Sequence, residues 1–596
     1  MEAALARRGR AVNRRGLFIV LAVVLLIRLP FLNQAIQGDD VYYLAAAERA
    51  QIDPLHPNHV RYVFLGDEVD FRGHPHPPLD AWVLALLLAA VGDIREVPFH
   101  AAYISFSLIA AAAMWSLARR FSPHPLWAAL LFVSVPAFVV NGNSLESDLP
   151  FLAFWMASIA LFCAGRLAWA AAAMALAALG AYQAIFLTPI LWAWCWLYRR
   201  KDRAAWAAAL TPGAVILAWQ LFERFSTGAL PASVLSGYFT TYGFQNLDKK
   251  LANAAALSVH ACFLVVPGLL PPAILLAWRK RDRDTVFLAA WAGIFFAGAV
   301  AVFFAGSARY LLPMAAPVAL LVSRLPVKWL AASFALWMPL GLGLATVNHQ
   351  HWDGYRDFAE TVRQQAGARR VWINGEWGLR YYLEADGGLP LKKGQTMYPG
   401  DIVVSSELAY PVEFTDPVAP LAAAEIRPAL PLRLIGLDSR SGYSTASKGF
   451  FPFGISAGPV DRVRAEIVVE RKPVLEYLPM SASEQMVTGL YSLEGGRWRW
   501  MARRGVVLLK SPESPKRLEV EFTIPGPSPA RRLDVLLDGQ PVASRTFAGP
   551  GSYTLASEPL RPAGAGATVT LITDRSFSVA GDRRELSIIV TGIGFR

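Results

Sequence analysis

The sequence predicts a polytopic α-helical membrane domain, followed by an exterior part that consists of a small α/β unit and a β-sandwich. Three observations favour this fold class. The 596 residues are 55% hydrophobic and only 17% charged, which is too apolar for an ordinary soluble protein. The long apolar runs are confined to residues 16–347, whereas residues 348–596 have the composition of a water-soluble chain. Basic residues stand between the apolar runs, which is the topology signal of a membrane protein.

The topology depends on how one short apolar run is interpreted. A spanning helix needs about 20 apolar residues, and residues 79–91, which follow His76-Pro77-Pro78, are too few. We therefore interpret them as an interfacial helix on the outer face. The basic groups at 119–120, 199–201 and 279–281 then lie inside, as the positive-inside rule requires. About 11 spans follow, with the N-terminus inside and the C-terminus outside: residues 17–32, 99–117, 126–140, 149–164, 168–180, 185–198, 204–222, 255–278, 285–305, 311–322 and 329–347.

Charge and cysteine usage exclude several classes of function. The net charge of +12 is carried by basic residues between apolar runs, so it indicates membrane topology and not a nucleic-acid partner. The three cysteines fall inside apolar segments, which excludes a disulfide framework or a zinc site. The basic start (Arg7, Arg8, Arg10, Arg14, Arg15) and the apolar run after it resemble a signal peptide. Because this run has no small-residue cleavage site, we interpret it as the first helix.

The predicted domain boundaries follow the change in composition. Residues 1–347 form the membrane domain, whose first outward loop, 33–98, is long, acidic and rich in histidine. Residues 348–470 predict a small exterior α/β unit, with helices at 355–365 and 378–383 and strands at 370–374 and 401–405. Residues 471–596 predict an exterior β-sandwich, with short strands between Gly/Pro turns at 505–509, 517–523, 533–537, 567–572 and 586–590.

Two adjacent carboxylates, Asp39 and Asp40, follow the first predicted span and lie at its outer end. Charged groups at a membrane surface are costly unless something uses them. A carboxylate there can act as a general base that takes a proton from an acceptor hydroxyl or amine. An interfacial cap is the structural alternative, and the pattern does not decide which of the two residues would be the base.

Other polar residues begin predicted inbound helices on the same face. Glu146 and Asp148 could supply a second acid or hold an acceptor or a metal, although a helix cap is an equal alternative. Arg309, followed by Tyr310, could bind a phosphate bidentately or extend to the membrane interface.

Two further pairs lie in the predicted outward loops. His74 and His76 supply only two ligands, so turn formation and hydrogen bonding are a simpler interpretation than a metal site. Lys249 and Lys250 are second candidates for a phosphate, with a solvated loop as the alternative.

The order and spacing of four motifs resemble the polytopic glycosyltransferases of the GT-C fold. The resemblance covers about residues 16–347 and is nearest to the bacterial dolichyl-phosphate-mannose and lipopolysaccharide-core types. Lipid A aminoarabinose transferase and the protein O-mannosyltransferases are more distant. The motifs are GDDVYYLAAAE (38–48), HPHPPLDAWVLALL (74–87), NSLESDLPFLAFW (143–155) and RYLLPMAAPVALL (309–321).

This resemblance implies a polyprenyl-phosphate sugar donor and inverting transfer of a hexose or pentose in cell-envelope glycan biosynthesis. The acceptor, a glycan, lipid or protein, would approach from the outer side of the bacterial cytoplasmic membrane. Asp39 or Asp40 would be the base, Glu146 and Asp148 would shape the acceptor pocket, and Arg309 would lie near the donor phosphate. A divalent metal stays open, and no other cofactor is expected.

The chain departs from the family pattern in one place. Many members carry a lysine in the fifth or sixth span, where this chain has Ala-Tyr-Gln at 181–183, and Lys249 or Lys250 would take its role. The predicted sandwich resembles carbohydrate-binding modules. Two other functions compete: a transporter or flippase of a lipid-linked glycan, and a non-catalytic glycan-binding membrane protein. A transporter should place polar groups in interrupted helices near mid-membrane, and it is disfavoured by acids that gather at one surface.

Overall fold

The computed structural model describes residues 2–469, 473–482, 485–526, 528–579, 582 and 584–596, with side chains from residue 14 onward. The predicted boundary at 470/471 and the side chains of Arg7, Arg8 and Arg10 lie outside the described residues. The chain divides into two compact units with interleaved boundaries. The first, which we call the membrane unit, comprises residues 1–357, 376–382 and 426–461, and the second comprises 358–375, 383–425 and 462–596.

Helices make up most of the membrane unit. Several of their ends carry an ordinary cap: the carboxylate of Asp282 accepts from Thr285 N–H, and Gly92 and Gly228 end helices in the left-handed region. The helices are α1 (Glu2–Arg28), α2 (Asp40–Ile52), α3 (Leu79–Val91), α4 (Glu96–Phe121), α5 (Pro125–Val133), α6 (Pro136–Asn141), α7 (Asp148–Cys163), α8 (Leu167–Gly180), α9 (Leu187–Tyr198), α10 (Arg203–Ala208), α11 (Thr211–Thr227), α12 (Pro231–Thr241), α13 (Leu247–Cys262), α14 (Leu270–Lys280), α15 (Arg283–Val302), α16 (Leu312–Val322), α17 (Val327–Ala366) and α18 (Gly378–Ala385).

Within the described residues, four helical segments are long and apolar enough to cross a membrane: Glu96–Phe121, Arg203–Thr227, Arg283–Val302 and Val327–Ala366. A fifth results if the bent pair Leu247–Cys262 and Pro267–Lys280 is one span. The chain is therefore a multi-pass membrane protein. Several other predicted spans are shorter apolar helices, so the count of 11 and the orientation stay predictions.

Two predicted spans are broken in the structure. Residues 126–140 divide into α5 and α6 at Pro136, because proline lacks the N–H that would continue the helix. Residues 255–278 divide into α13 and α14, and the two segments meet at an angle of 79°. Conversely, the predicted helices at 329–347 and 355–365 are one continuous helix, α17, since the polar residues between them do not interrupt its backbone hydrogen bonds.

Among the described residues, strands form two two-stranded sheets in the membrane unit, the hairpin β1-β2 and the pair β7-β8, and two larger sheets. They are β1 (Arg61–Phe64), β2 (Asp67–Asp70), β3 (Val371–Asn374), β4 (Leu389–Pro390), β5 (Ile402–Ser406), β6 (Val418–Ile426), β7 (Leu432–Arg433), β8 (Gly454–Ile455), β9 (Asp461–Val468), β10 (Tyr477–Pro479), β11 (Met486–Glu494), β12 (Trp498–Lys510), β13 (Lys516–Ile524), β14 (Arg531–Leu537), β15 (Gln540–Phe547), β16 (Gly551–Leu560), β17 (Gly566–Thr573) and β18 (Ile589–Phe595).

The two larger sheets differ in topology. One has the order β4-β3-β5-β9-β6, with β3 parallel to β4 and β5, and it contains the strands predicted at 370–374 and 401–405. The other has nine strands, in the order β15-β14-β17-β12-β18-β13-β16, with β10 beside β18 and β11 beside β12. The strand predicted at 586–590 is placed too early, because β18 begins at Ile589.

The nine-stranded sheet folds over on itself. Phe547 of β15, at one end of the strand order, lies 5.0 Å from Phe522 of β13 and 4.7 Å from Tyr553 of β16 between ring centroids. Opposite ends of the sheet thus meet over one apolar core, in which Val520 and Val569 are fully buried. The C-terminal part is a β domain.

Candidate active site

The first carboxylate pair stands where the chain turns into α2. Gly38 has a left-handed φ of 50°, and a Cβ on it would lie 2.8 Å from Glu146 Oε1. Glycine is therefore favoured at this turn on both conformational and steric grounds. The backbone N–H of Asp39 donates to the same Glu146 oxygen at 3.3 Å, which joins the turn to the segment before α7.

Arg309 lies at the centre of a cluster of three carboxylates that come from two other chain segments. Its Nε is 3.2 Å from Asp148 Oδ2 and its Nη2 is 3.6 Å from Asp39 Oδ2. Its Nη1 donates to Glu146. The structure thus brings together four residues that sequence motifs far apart in the chain had singled out. We call Asp39, Glu146, Asp148 and Arg309 the acidic cluster.

Asp39 and Asp40 have different surroundings. The Asp40 carboxylate is fully buried and accepts three hydrogen bonds: from Ser144 Oγ (3.0 Å) and Leu145 N–H (2.9 Å) on Oδ1, and from Gln37 N–H (3.2 Å) on Oδ2. The side chain of Asp39 keeps 28% exposure and faces Arg309. Asp40 joins two loops, while Asp39 is the one of the pair that stays partly open to solvent.

Burial perturbs both carboxyl groups. It raises the pKa of Asp39, and the charge of Arg309 opposes this rise. It raises the pKa of Asp40 to about 7, although hydrogen bonds from Gln37, Ser144 and Leu145 favour the charged form. A carboxyl whose pKa is raised toward neutrality is a stronger base than an ordinary aspartate once it is ionised.

His74 and His76 form an aromatic cluster with Tyr43. The Tyr43 hydroxyl is 3.4 Å from His74 Nδ1, and His76 Nδ1 is 3.1 Å from the carbonyl oxygen of Gly180. Burial lowers the pKa of His74 well below its usual range, as does the adjacent His76. Among the described residues, no group of three or more His, Cys, Asp or Glu side chains is arranged to hold a metal ion.

The candidate phosphate ligands are not gathered at one point. Tyr310 lies against Arg309, with 5.6 Å between the guanidinium carbon and the ring centroid. Lys249 donates to the Tyr242 carbonyl oxygen at 2.7 Å, and Lys250 donates to the Ala301 carbonyl oxygen at 3.2 Å. Both lysines lie in the first turn of α13 and donate to backbone carbonyls of neighbouring segments.

Sequence reasoning missed a second buried ion cluster in the membrane unit. Arg380 and Glu376 form an ion pair of 3.1 Å, and both side chains are almost completely buried. Tyr42 O–H and Leu65 N–H (2.7 Å) donate to Glu376, while Arg380 also donates to Val63 O. The spacing of four between Glu376, just before α18, and Arg380 within it was the available signal, but such pairs are common on exposed helices.

Two other buried polar residues also went unnoticed. Arg28, fully buried at the end of α1, donates to the carbonyl oxygens of Val139 (2.5 Å) and Phe138 (2.6 Å), and so fixes the end of α6. Asp80 in α3 accepts a hydrogen bond of 2.6 Å from Tyr103. Both are single charged residues within apolar runs. This was a signal of a buried polar contact, but the runs were interpreted only as spans or interfacial helices.

No family model matches the chain, and no curated protein matches it. Among solved structures, ArnT from Cupriavidus metallidurans bound to undecaprenyl phosphate is 14% identical, over 65% of this chain and 93% of that one, with a TM-score of 0.44. An oligosaccharyltransferase from Archaeoglobus fulgidus is 11% identical over 96% and 97% of the chains (TM-score 0.43). The arabinofuranosyltransferase AftD from mycobacteria is 13% identical over 97% and 61% (TM-score 0.33).

The TM-scores of these three structures lie below 0.5, so the likeness carries no argument about the function of this chain.

Proposed function

We propose that this chain is a membrane glycosyltransferase, with Asp39 as the general base. It would transfer a sugar from a polyprenyl-phosphate donor to an acceptor on the outer face of the bacterial cytoplasmic membrane. The observation that carries the proposal is the acidic cluster: a partly exposed carboxylate, with a raised pKa, held beside an arginine whose side chain is only 13% exposed. The motif resemblance implies Asp39 or Asp40 as the base, and we choose Asp39 because its side chain is the more exposed of the two.

The reaction follows from the chemistry of the donor. The acceptor oxygen attacks the anomeric carbon as its proton passes to the Asp39 carboxylate. The bond between the anomeric carbon and the phosphate oxygen breaks, and its electron pair leaves with the lipid phosphate. Attack opposite to the leaving group inverts the anomeric centre. A cation that neutralises the departing phosphate lowers the barrier.

The other members of the acidic cluster have supporting roles in this proposal. The side chains of Glu146 and Asp148 are 4% and 5% exposed, so they act through Arg309, which they hold in place. Arg309 limits the rise in the pKa of Asp39 and has donors left for a phosphate, because its contact with Asp39 is the longest of the three. Lys249 and Lys250 are proposed as further phosphate ligands.

The proposal includes the predicted topology. The 11 spans would place the acidic cluster outside, with the C-terminal β domain on the same side as a carbohydrate-binding part. Which acceptor is used, a glycan, a lipid or a protein, is left to experiment.

The test is a transfer assay on the full-length protein in lipid nanodiscs. The donor is undecaprenyl phosphate that carries a radiolabelled hexose or pentose, and a cell-envelope extract supplies the acceptor. Asp39→Asn should lower the rate about 10²- to 10⁴-fold, the usual contribution of a general base. Asp93→Asn, an exposed aspartate in the same loop, is the matched control and should keep the rate. Full activity of Asp39→Asn would remove Asp39 as the base.

One observation favours the competing transporter function. The 79° break between Leu247–Cys262 and Pro267–Lys280 is an interrupted helix, which is typical of transporters. Proteoliposomes that contain the labelled lipid separate the two functions. Movement of the labelled sugar lipid across the bilayer, with no glycosidic product, would replace the transferase by a transporter.

A further inference from the structure

Six aromatic rings of the membrane unit form a half-buried cluster that the proposed reaction does not use. Four chain segments contribute to it: the end of β1, helix α12, the turn after it, and the segment that leads to Arg309. Ring centroids are 4.8 Å apart for Tyr238 and Tyr242, 5.4 Å for Tyr238 and Phe244, and 4.9 Å for Phe244 and Phe304. None of the six rings is fully buried. We call the cluster the aromatic platform; its members are Phe64, Tyr238, Phe239, Tyr242, Phe244 and Phe304.

The aromatic platform is fixed to the loop that carries the site. The Tyr242 hydroxyl donates to the carbonyl oxygen of Phe64 at 3.2 Å, which ties the end of α12 to the hairpin. Helix α12 also packs on the turn before His74, where a Cβ on Gly73 would lie 3.2 Å from Val234 Cγ1. The rings therefore hold a defined position relative to the first loop.

The aromatic platform is connected to the acidic cluster through adjacent residues. Phe303, the chain neighbour of Phe304, has its ring centroid 5.1 Å from that of Tyr310, and Tyr310 lies against Arg309. Burial raises the pKa of Tyr238, and the negative charge of Asp39 contributes to this rise.

A cation stands at the edge of the platform. The Lys249 ammonium lies 5.5 Å from the ring centroid of Phe244, and Lys249 is exposed to solvent. Aromatic faces with phenol hydroxyls suit a sugar ring, which has apolar C–H faces and a hydroxyl rim. A cation beside them suits a phosphate attached to that sugar. An isoprenoid chain would use neither the hydroxyls nor the ammonium, and an acceptor sugar would not need the cation.

We propose that the aromatic platform binds the sugar ring of the donor, with its phosphate against Lys249. The inference rests on the proposed function, because it takes the donor to be a polyprenyl-phosphate sugar. It adds the residues that recognise the sugar, and it places that sugar beside Asp39.

The experiment compares two probes that bind to the full-length protein in nanodiscs: undecaprenyl phosphate, and undecaprenyl phosphate that carries a hexose or a pentose. The wild type should bind one of the sugar-bearing lipids more tightly than the bare lipid. Tyr238→Ala should reduce this ratio on the order of tenfold, as expected for loss of a stacking ring. Lys249→Ala should weaken the binding of the bare and the sugar-bearing lipid by a similar factor. Phe225→Ala, which removes an aromatic ring that is 83% exposed, is the matched control and should change neither affinity.

Tyr238→Phe keeps the ring and should keep the ratio, which separates stacking from a loss of folding. A folded Tyr238→Ala protein that retains the wild-type ratio would overturn the inference, as would a wild type that binds all probes equally. Binding is measured without turnover. The inference therefore fails alone if Asp39→Asn loses transfer while Tyr238→Ala keeps the ratio, and the proposed function fails if Asp39→Asn transfers normally.

Discussion

Two buried ion clusters of the membrane unit differ in their balance of charge. In the first, Arg380 faces one carboxylate, Glu376, whose oxygens also accept from a phenol and a backbone N–H. In the acidic cluster, Arg309 faces three carboxylates: Asp39, Glu146 and Asp148. The balanced cluster has one positive and one negative charge. The acidic cluster carries an excess of negative charge when all of its members are ionised.

This difference in charge balance matches a structural role for the balanced cluster and the proposed chemical role for the acidic cluster. A balanced, hydrogen-bonded ion pair can remain buried without further partners, whereas uncompensated buried charge is strongly unfavourable. The electrostatic repulsion within the acidic cluster falls when one carboxyl takes up a proton or binds a cationic group. Asp39 is the member most open to solvent. Readiness to accept a proton is the property that a general base needs.

The largest expected effect is that of Arg309→Gln, which removes the only cation of the acidic cluster. Three carboxylates are left without it, so we expect a loss of about 3–5 kcal/mol in the free energy of unfolding. Arg309 lowers the pKa of Asp39, so its removal should raise that pKa. Because the base acts when ionised, the acidic limb of the pH–rate profile should move to higher pH. Arg309→Lys keeps the charge and should keep the limb in place; an unmoved limb in Arg309→Gln would contradict the pairing.

Glu376→Gln tests the balanced cluster. The buried guanidinium of Arg380 would lose its anion, and we expect a loss of about 3 kcal/mol in stability. The transfer rate per folded molecule should stay within a few-fold of the wild type, since this cluster takes no part in the chemistry. Thermal unfolding and the transfer rate, measured on one preparation, check both points. A rate loss like that of Asp39→Asn would mean that the balanced cluster is also part of the active site.

Asp40→Asn should cost less, about 1–3 kcal/mol, through its lost hydrogen bonds. Burial raises the pKa of Asp40 to about 7, so between the unfolded value near 4 and about 7 the folded state binds more protons. In the wild type this contribution to stability falls as pH rises through that window, and the asparagine variant lacks it. The stability gap between the two proteins should therefore narrow from pH 5 to pH 8; a constant gap would show that Asp40 does not titrate there.

Gly38→Ala should have the smallest effect, about 1–2 kcal/mol. A left-handed φ of 50° strains alanine, and the new Cβ would displace Glu146 Oε1. Gly92→Ala is the matched control, because Gly92 also has a left-handed φ but nothing lies within 4 Å of an added Cβ. The additional loss of stability in Gly38→Ala relative to Gly92→Ala, measured by thermal unfolding, reports the contact with Glu146. Equal costs would mean that the carboxylate can move away freely.

Sequence patterns predicted the local elements well where a single signal was strong. Helix α3 has the predicted bounds, since a proline pair opens it and Gly92 ends it. Patterns failed where a proline or a bend divides a long apolar run, as at Pro136, because hydrophobicity alone does not distinguish one helix from two. They also missed Glu376 and Arg380, whose partners lie more than 300 residues away in the sequence.

The sequence by itself determined that the chain crosses a membrane several times, ends in a β domain, and carries Asp39, Asp40, Glu146, Asp148 and Arg309 in separate motifs. Only the tertiary structure decided which of these residues contact one another and which aspartate remains exposed to solvent. Asp39 is joined to Glu146 across 107 positions, and Arg309 to Glu146 across 163. No local pattern encodes such pairings, because burial and charge compensation depend on how distant segments pack. The two aspartates of the first acidic motif therefore have different surroundings. Asp40 is buried and accepts hydrogen bonds that join two loops, whereas Asp39 faces Arg309 and remains partly exposed to solvent.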